Sequence, residues 1–194
     1  MMKIQDGKYR LFDIEGFAEW MESLSLKRKI ILIQNHHTEI PSYKDFHGDN
    51  HFALQQEMEV MHLARNFDEI AQQLTIFPDG IICTGRSMEL DPAGIRGANK
   101  GAICIENLGY FDEGKDEMTT LQSKAILSVN MLLCKKFKLT PSTETLVYHH
   151  WYDRETGERT GGTGVTKTCP GTQFFGGNGI EDAEKYFIPL ISLS

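Results

Sequence analysis

Two apolar runs in this chain end in paired histidines, and a third segment carries a cysteine on a proline–glycine turn. Residues 30–38 read I-I-L-I-Q-N-H-H-T and residues 146–152 read L-V-Y-H-H-W-Y, while Lys167 to Gly171 reads K-T-C-P-G. One imidazole from each pair together with the Cys169 thiolate makes a three-ligand zinc set that leaves a fourth position open for water. Such a site activates water at neutral pH, so the expected chemistry is zinc-assisted hydrolysis. Adjacent side chains on a strand point to opposite faces, so only one histidine of each pair can reach a given ion. Cys169 lies too far beyond the second pair for a local zinc-finger loop, and the set must be assembled across a sheet.

Two further groups could take part. Lys167 is separated from Cys169 by one residue, so in extended backbone the two side chains share a face. A cation placed there stabilises the oxyanion that forms when water attacks an amide carbonyl. Glu106 ends the apolar run 102–105, and partial burial would raise its pKa toward that of a proton acceptor working near neutrality. The alternative for Glu106 is a structural pairing with Arg86 or Arg96. The glycines at 157, 161, 162 and 164 follow no strand and open no helix, so they form no phosphate cradle.

These groups need a scaffold. The chain has 194 residues, 40% hydrophobic and 24% charged, enough to bury the core of one ordinary domain. Its formal charge is −7, and its largest basic cluster is Lys27-Arg28-Lys29, which argues against nucleic acid as a partner. No apolar stretch approaches the roughly 18 residues of a membrane span, and the first residues lack the features of a secretory signal. Synthesis in the cytoplasm is expected, so a substrate outside the membrane would require release by another factor. Cys83, Cys104 and Cys134 sit inside apolar runs and read as buried thiols.

Hydrophobic spacing predicts a helix capped by Asp13 with Ile14, Phe17, Met21 and Leu24 on its inner stripe. A second helix follows Asn50 with Leu54, Met58 and Met61 inward. A third follows Thr119, whose spacing to Gln122 suggests a capping box, with Leu121, Ala125, Val129, Leu132 and Leu133 inward. Strands are expected over 30–33, 70–76, 80–84, 102–105 and 145–148, with a hairpin turn at Phe77-Pro78-Asp79-Gly80. Residues 89–100 read as a surface loop, and a short helix is expected over 180–187. The pattern implies an α/β, mixed α+β single domain with a central mixed sheet flanked by helices. Residues 1–28 read as a helical extension added to a catalytic unit over 29–194.

In this order the segments I-L-I-Q-N-H-H-T, F-P-D-G-I-I-C-T-G-R, H-H-W and T-K-T-C-P-G resemble the zinc-dependent N-acetylmuramoyl-L-alanine amidases, which share a fold with peptidoglycan recognition proteins and phage amidase-type lysozymes. The resemblance runs from about residue 30 to 171. It implies that the first histidine of each pair, His36 and His149, binds zinc with Cys169, and that Lys167 faces the scissile carbonyl. It also implies a peptidoglycan substrate, cut between N-acetylmuramic acid and the L-alanine of the stem peptide, or, in the alternative, bound without cleavage. Where many active members carry a tyrosine near the metal this chain has Gln72, and where another branch places a glutamate in the later strand it has Cys104, with Glu106 two residues on. The stretch between His149 and Cys169 is also longer than usual. His47, Gln72 and Arg86 are expected to contact substrate.

Overall fold

In the computed structural model, which describes residues 3–192, seven strands form one mixed sheet in the order β1-β2-β5-β4-β6-β3-β7. The strands are β1 (Lys3–Asp6), β2 (Tyr9–Phe12), β3 (Leu32–His37), β4 (Leu74–Ile76), β5 (Ile82–Thr84), β6 (Ala102–Asn107) and β7 (Leu146–Tyr148). Helices α1 (Ile14–Ser23), α2 (His51–Ala64) and α3 (Thr120–Phe137) cover it, with a C-terminal helical segment running from Ile180 to Ser192 through a π-helical stretch at Ala183–Phe187. Among the described residues no helix is long and apolar enough to cross a membrane.

Strand β3 sits between β6 and β7 and runs parallel to both. Parallel strands flanked by helices are buried on both faces, as Ala102 to Ile105 are, whereas the strand expected over 30–33 runs instead over Leu32–His37 and leaves Ile31 before it 49% exposed. The register pairs His36 with Glu106 and His37 with Asn107, so the polar ends of two distant runs meet at one edge. The anticipated hairpin is present: β4 and β5 pair antiparallel around Pro78-Asp79-Gly80, and Gly80 takes φ 83°.

Two apolar clusters fill the two faces. The larger gathers Phe12, Phe17 and Met21 with Ile33, Ile103, Val129, Leu133, Tyr148 and Trp151. The smaller lies under α2 and holds Tyr9, Leu54, Met58, Ile70, Phe77 and Leu108. All four cysteines are buried and free.

Residues 3–28 hold more than the helical extension anticipated over 1–28. Helix α1 is there, capped by Asp13, whose Oδ1 accepts from the Gly16 amide at 2.8 Å. It is preceded by the β1–β2 hairpin, and β2 pairs with β5 through Leu11 with Cys83 and Phe12 with Ile82. Gly7 turns the hairpin at φ 55°, a conformation glycine adopts without strain. Phe12 is stacked on Trp20, and Tyr9 and Lys8 both reach Glu59 of α2. The physical reason is that β2 extends the sheet at an edge that β5 would otherwise expose.

Smaller differences follow from tertiary partners. Asn50 does not cap α2; its Oδ1 accepts from the His47 amide instead. Thr119 caps α3 as expected, but Gln122 turns inward and donates to the Ile76 and Leu108 carbonyls. That rotation leaves Leu121 59% exposed and brings Ile126 and Asn130 onto the buried face, where Asn130 exchanges amide hydrogen bonds with Asn35 of β3.

Phe17 is fully buried in the larger cluster. Phe17→Ala should therefore cost about 3–5 kcal/mol in denaturant unfolding, the range for a large core truncation. A loss under about 1 kcal/mol would show that the N-terminal segment is only laid against the domain.

Candidate metal centre

The carboxyl ends of β3, β6 and β7 form one rim, the place where open α/β sheets bind ligands. His36 and His37 close β3, and Glu106 stands beside His36 on β6. Strand β7 stops at Tyr148, and His149–Trp151 is a single 3₁₀ turn, anchored by the Trp151 indole donating to the Asn178 carbonyl at 2.7 Å. This turn, rather than strand alternation, brings His149 to within 5.0 Å of His36, ring centre to ring centre. Cys169 arrives on the Thr168 to Gly171 turn, closed by the Gly171 amide donating to the Thr168 carbonyl.

One ligand atom each from His36, His149 and Cys169 can be chosen so that all three lie within 4.8 Å of one another. His36 Nδ1 is 3.4 Å from Cys169 Sγ. With zinc–sulfur near 2.3 Å and zinc–nitrogen near 2.0–2.1 Å, two ligands of a tetrahedral ion stand roughly 3.5 Å apart, so the pair has the spacing of neighbours on one ion. The donor chemistry fits as well. Burial, then the charges of neighbours including Lys167, hold His36 well below the ordinary imidazole pKa, and the same causes take His149 down to about 3. Both rings are therefore neutral near pH 7 and offer lone pairs. Burial and the nearby Glu106 push the Cys169 thiol up, a penalty that a bound divalent cation reverses by favouring the thiolate.

Glu106 is the other unsettled group. Burial raises its pKa to about 8 against the pull of Lys167, and its Oε2 is buried without a hydrogen-bond partner. Its Oε1 lies 3.9 Å from His36 Nδ1. The pairing with Arg86 or Arg96 considered from sequence is not among its contacts in the described residues. A buried carboxylate left this way is costly unless a cation approaches it.

The remaining expected residues divide. Lys167 lines the same cleft as the three donors, a cavity of about 430 Å³, and its carbonyl is 2.6 Å from His150 Nδ1. His150 and His37 stand outside the donor group; His37 Nδ1 is 3.3 Å from the Phe111 amide, which donates to it. His47, Gln72 and Arg86, expected to contact substrate, are not among the residues that line the cleft. Gln72 is fully buried and donates to Thr75 Oγ1, leaving its neighbour Ala71 on the cleft wall. Arg86 is buried and spent on the Ile70 and Asp91 carbonyls and on Asp68. His47 belongs to a separate groove beside α2. Arg65 and Arg154, which sequence reasoning passed over, do line the cleft. Their signal, isolated arginines in polar context, is indistinguishable from ordinary surface charge.

Fold and site together define a family. Residues 26–172 match the family model described as N-acetylmuramoyl-L-alanine amidase, and the chain belongs to that family. Among solved structures it is similar to the N-acetylmuramoyl-L-alanine amidase LysC from Clostridium intestinale URNW, at 21% identity over 81% of this chain and 85% of that one, TM-score 0.56. It is also similar to Drosophila PGRP-LB, at 16% identity over 85% of each chain and TM-score 0.62, and to a mutant of PGRP-LB in complex with tracheal cytotoxin, at 18% identity over 78% and 81%, TM-score 0.59. A search of curated protein sequences finds no significant match.

The raised pKa of Glu106 has a measurable consequence in metal-free protein. Unfolding returns the carboxyl to its ordinary value near 4.5, so the unfolded state ionises first and stability falls as pH rises from about 4.5 to about 8. Glu106→Gln should remove that part of the slope, matching wild type near pH 4 and exceeding it in denaturant unfolding above pH 8. A wild-type to variant difference that stays constant across this window contradicts the assignment.

Proposed function

We propose that this chain is a zinc-dependent peptidoglycan amidase that cleaves the amide between the lactyl group of N-acetylmuramic acid and the L-alanine of the stem peptide. The observation that carries the reading is the convergence of His36, His149 and Cys169 beside a buried carboxylate that lacks a partner for one oxygen. His36, His149 and Cys169 hold the ion, which when bound polarises the carbonyl and makes water nucleophilic at neutral pH.

Glu106 takes the proton from the attacking water and passes it to the leaving amine nitrogen. A carboxyl with a pKa near 8 in the metal-free site becomes a competent base when a divalent charge draws that value down. Lys167 presents its ammonium to the oxygen on which charge develops, so its attraction grows in the transition state rather than in the bound substrate. Arg65, Arg154 and Lys167 give the cleft a cationic lining in a chain whose formal charge is −7, which suits a stem peptide bearing carboxylates. The place of action is the cell wall, as for an endolysin.

Binding without cutting is the rival reading, since a PGRP-LB mutant of the same fold is known in complex with tracheal cytotoxin and Gln72 stands where many members of the resembled family carry a tyrosine. The intact donor set together with Glu106 favours cleavage. Zinc-loaded protein should release free α-amino groups of L-alanine from purified peptidoglycan, read by mass spectrometry of the digest, and chelation should stop release. Retention of wall without any new amine would establish a binder.

Lys167→Ala should keep its zinc and lose on the order of 100-fold or more in kcat, by analogy with removal of one oxyanion donor. Hydrolysis by that variant at the wild-type rate would assign the oxyanion to another group.

A further inference from the structure

Gln34 lies two residues before His36 on β3 and therefore shares its face of the strand. It is fully buried. Its side-chain Nε2 donates to the Ala98 carbonyl at 2.9 Å and approaches Asn99 Oδ1 at 3.4 Å. A backbone carbonyl only accepts, so this contact fixes which end of the amide faces which way. Gln34 Oε1 is then turned to His36, 3.4 Å from its Nε2. An amide oxygen likewise only accepts, so His36 Nε2 must carry the hydrogen and Nδ1 must carry the lone pair. That Nδ1 is the atom 3.4 Å from Cys169 Sγ and 3.9 Å from Glu106 Oε1.

The partner that holds Gln34 is itself held. Asn99 Oδ1 accepts from the Gly94 and Ile95 amides at 3.0 and 2.9 Å, which draws the 94–99 loop over the pair. The loop passes so closely that a Cβ at Gly94 would stand 2.2 Å from Gln34 Oε1 and 3.1 Å from His36 Nε2. Gly94 and His36 both line the cleft, so a wall of the cleft and the ring of a metal ligand are joined through one amide.

We propose that Gln34 is a positioning residue for the metal: it locks His36 in the Nε2–H tautomer, aims Nδ1 at the ion, and ties that orientation to the 94–99 loop. The inference rests on the reading of His36 as a ligand. Outer partners of ligating histidines typically govern 10–100-fold in metal affinity, because they fix the ring and its tautomer.

The test uses the full chain and two readouts besides turnover: zinc affinity by competition with a chromogenic chelator, and the His36 tautomer in metal-free protein by long-range proton–nitrogen NMR. Wild type should bind one zinc and show the Nε2–H form. Gln34→Met, close in shape but without the acceptor, should bind zinc about 10–100-fold more weakly and show both tautomers. Gly94 lies outside the left-handed region, so Gly94→Ala strains no backbone; its methyl would press on Gln34 Oε1 and, at 2.9 Å, on Cys104 Sγ, displacing the Gln34 oxygen, and it should shift both readouts in the same direction. This second variant carries the test if Gln34→Met does not fold. The proposal is overturned if the folded variants bind zinc as tightly as wild type, or if His36 in wild type carries its hydrogen on Nδ1. A wild type that binds no zinc, with His36 still Nε2–H and released by Gln34→Met, would remove the metal reading and leave the Gln34 contact standing.

Discussion

The parallel register of β3 against β6 is the constraint on which the site depends. It sets His36 beside Glu106 inside the protein, a neutral imidazole next to a carboxyl whose second oxygen has no partner. Cys169 adds a buried thiol that resists ionisation. Glu106 and Cys169 are each pushed toward their protonated forms by burial, and Lys167, exposed at the cleft, offsets this only in part. A divalent cation would relieve both at once while using the lone pairs that the neutral imidazoles already offer, which is the sense in which metal binding and folding are coupled in such a site.

Holding that register requires rigidity on both faces of the sheet. On one face the Asn35–Asn130 amide pair ties β3 to α3, and Gln122 bonds to the carbonyls that end β4 and follow β6. On the other, α2 is clasped to the β1–β2 hairpin by Glu59. The family match begins at residue 26, yet the residues before it contribute two strands and the buried side chains of Tyr9, Leu11, Phe12, Phe17 and Met21 to the core. The N-terminal segment thus lengthens the sheet at the edge remote from the metal centre, where it can stabilise the domain without altering the cleft.

Much of this was legible from local pattern. Apolar runs ending in histidine, the Asp13 and Thr119 caps and the Asp-Gly hairpin each depend on neighbours in sequence, and each appears in the structure. Features that depend on distant partners were not. The β1–β2 hairpin consists of four-residue strands of mixed polarity, and only pairing with β5 makes them part of a sheet. Gln72 and Arg86 occupy the expected region, but burial against Thr75 and Asp68 turns them away from the cleft. Glu106 could be singled out as a strand-end carboxylate, whereas its place beside His36 follows from a register that no single segment encodes. Strand alternation allowed one histidine of the second pair and the family resemblance pointed to His149, whereas the structure delivers that ring on a 3₁₀ turn that no alternation rule describes.

X-ray absorption at the zinc edge on the loaded protein interrogates the central claim most directly, because it reads the ligand atoms themselves. The account predicts one sulfur near 2.3 Å and two imidazole nitrogens near 2.0–2.1 Å, with a fourth light-atom ligand completing a tetrahedron. A shell without sulfur, or one with two sulfurs, would contradict a centre built from His36, His149 and Cys169.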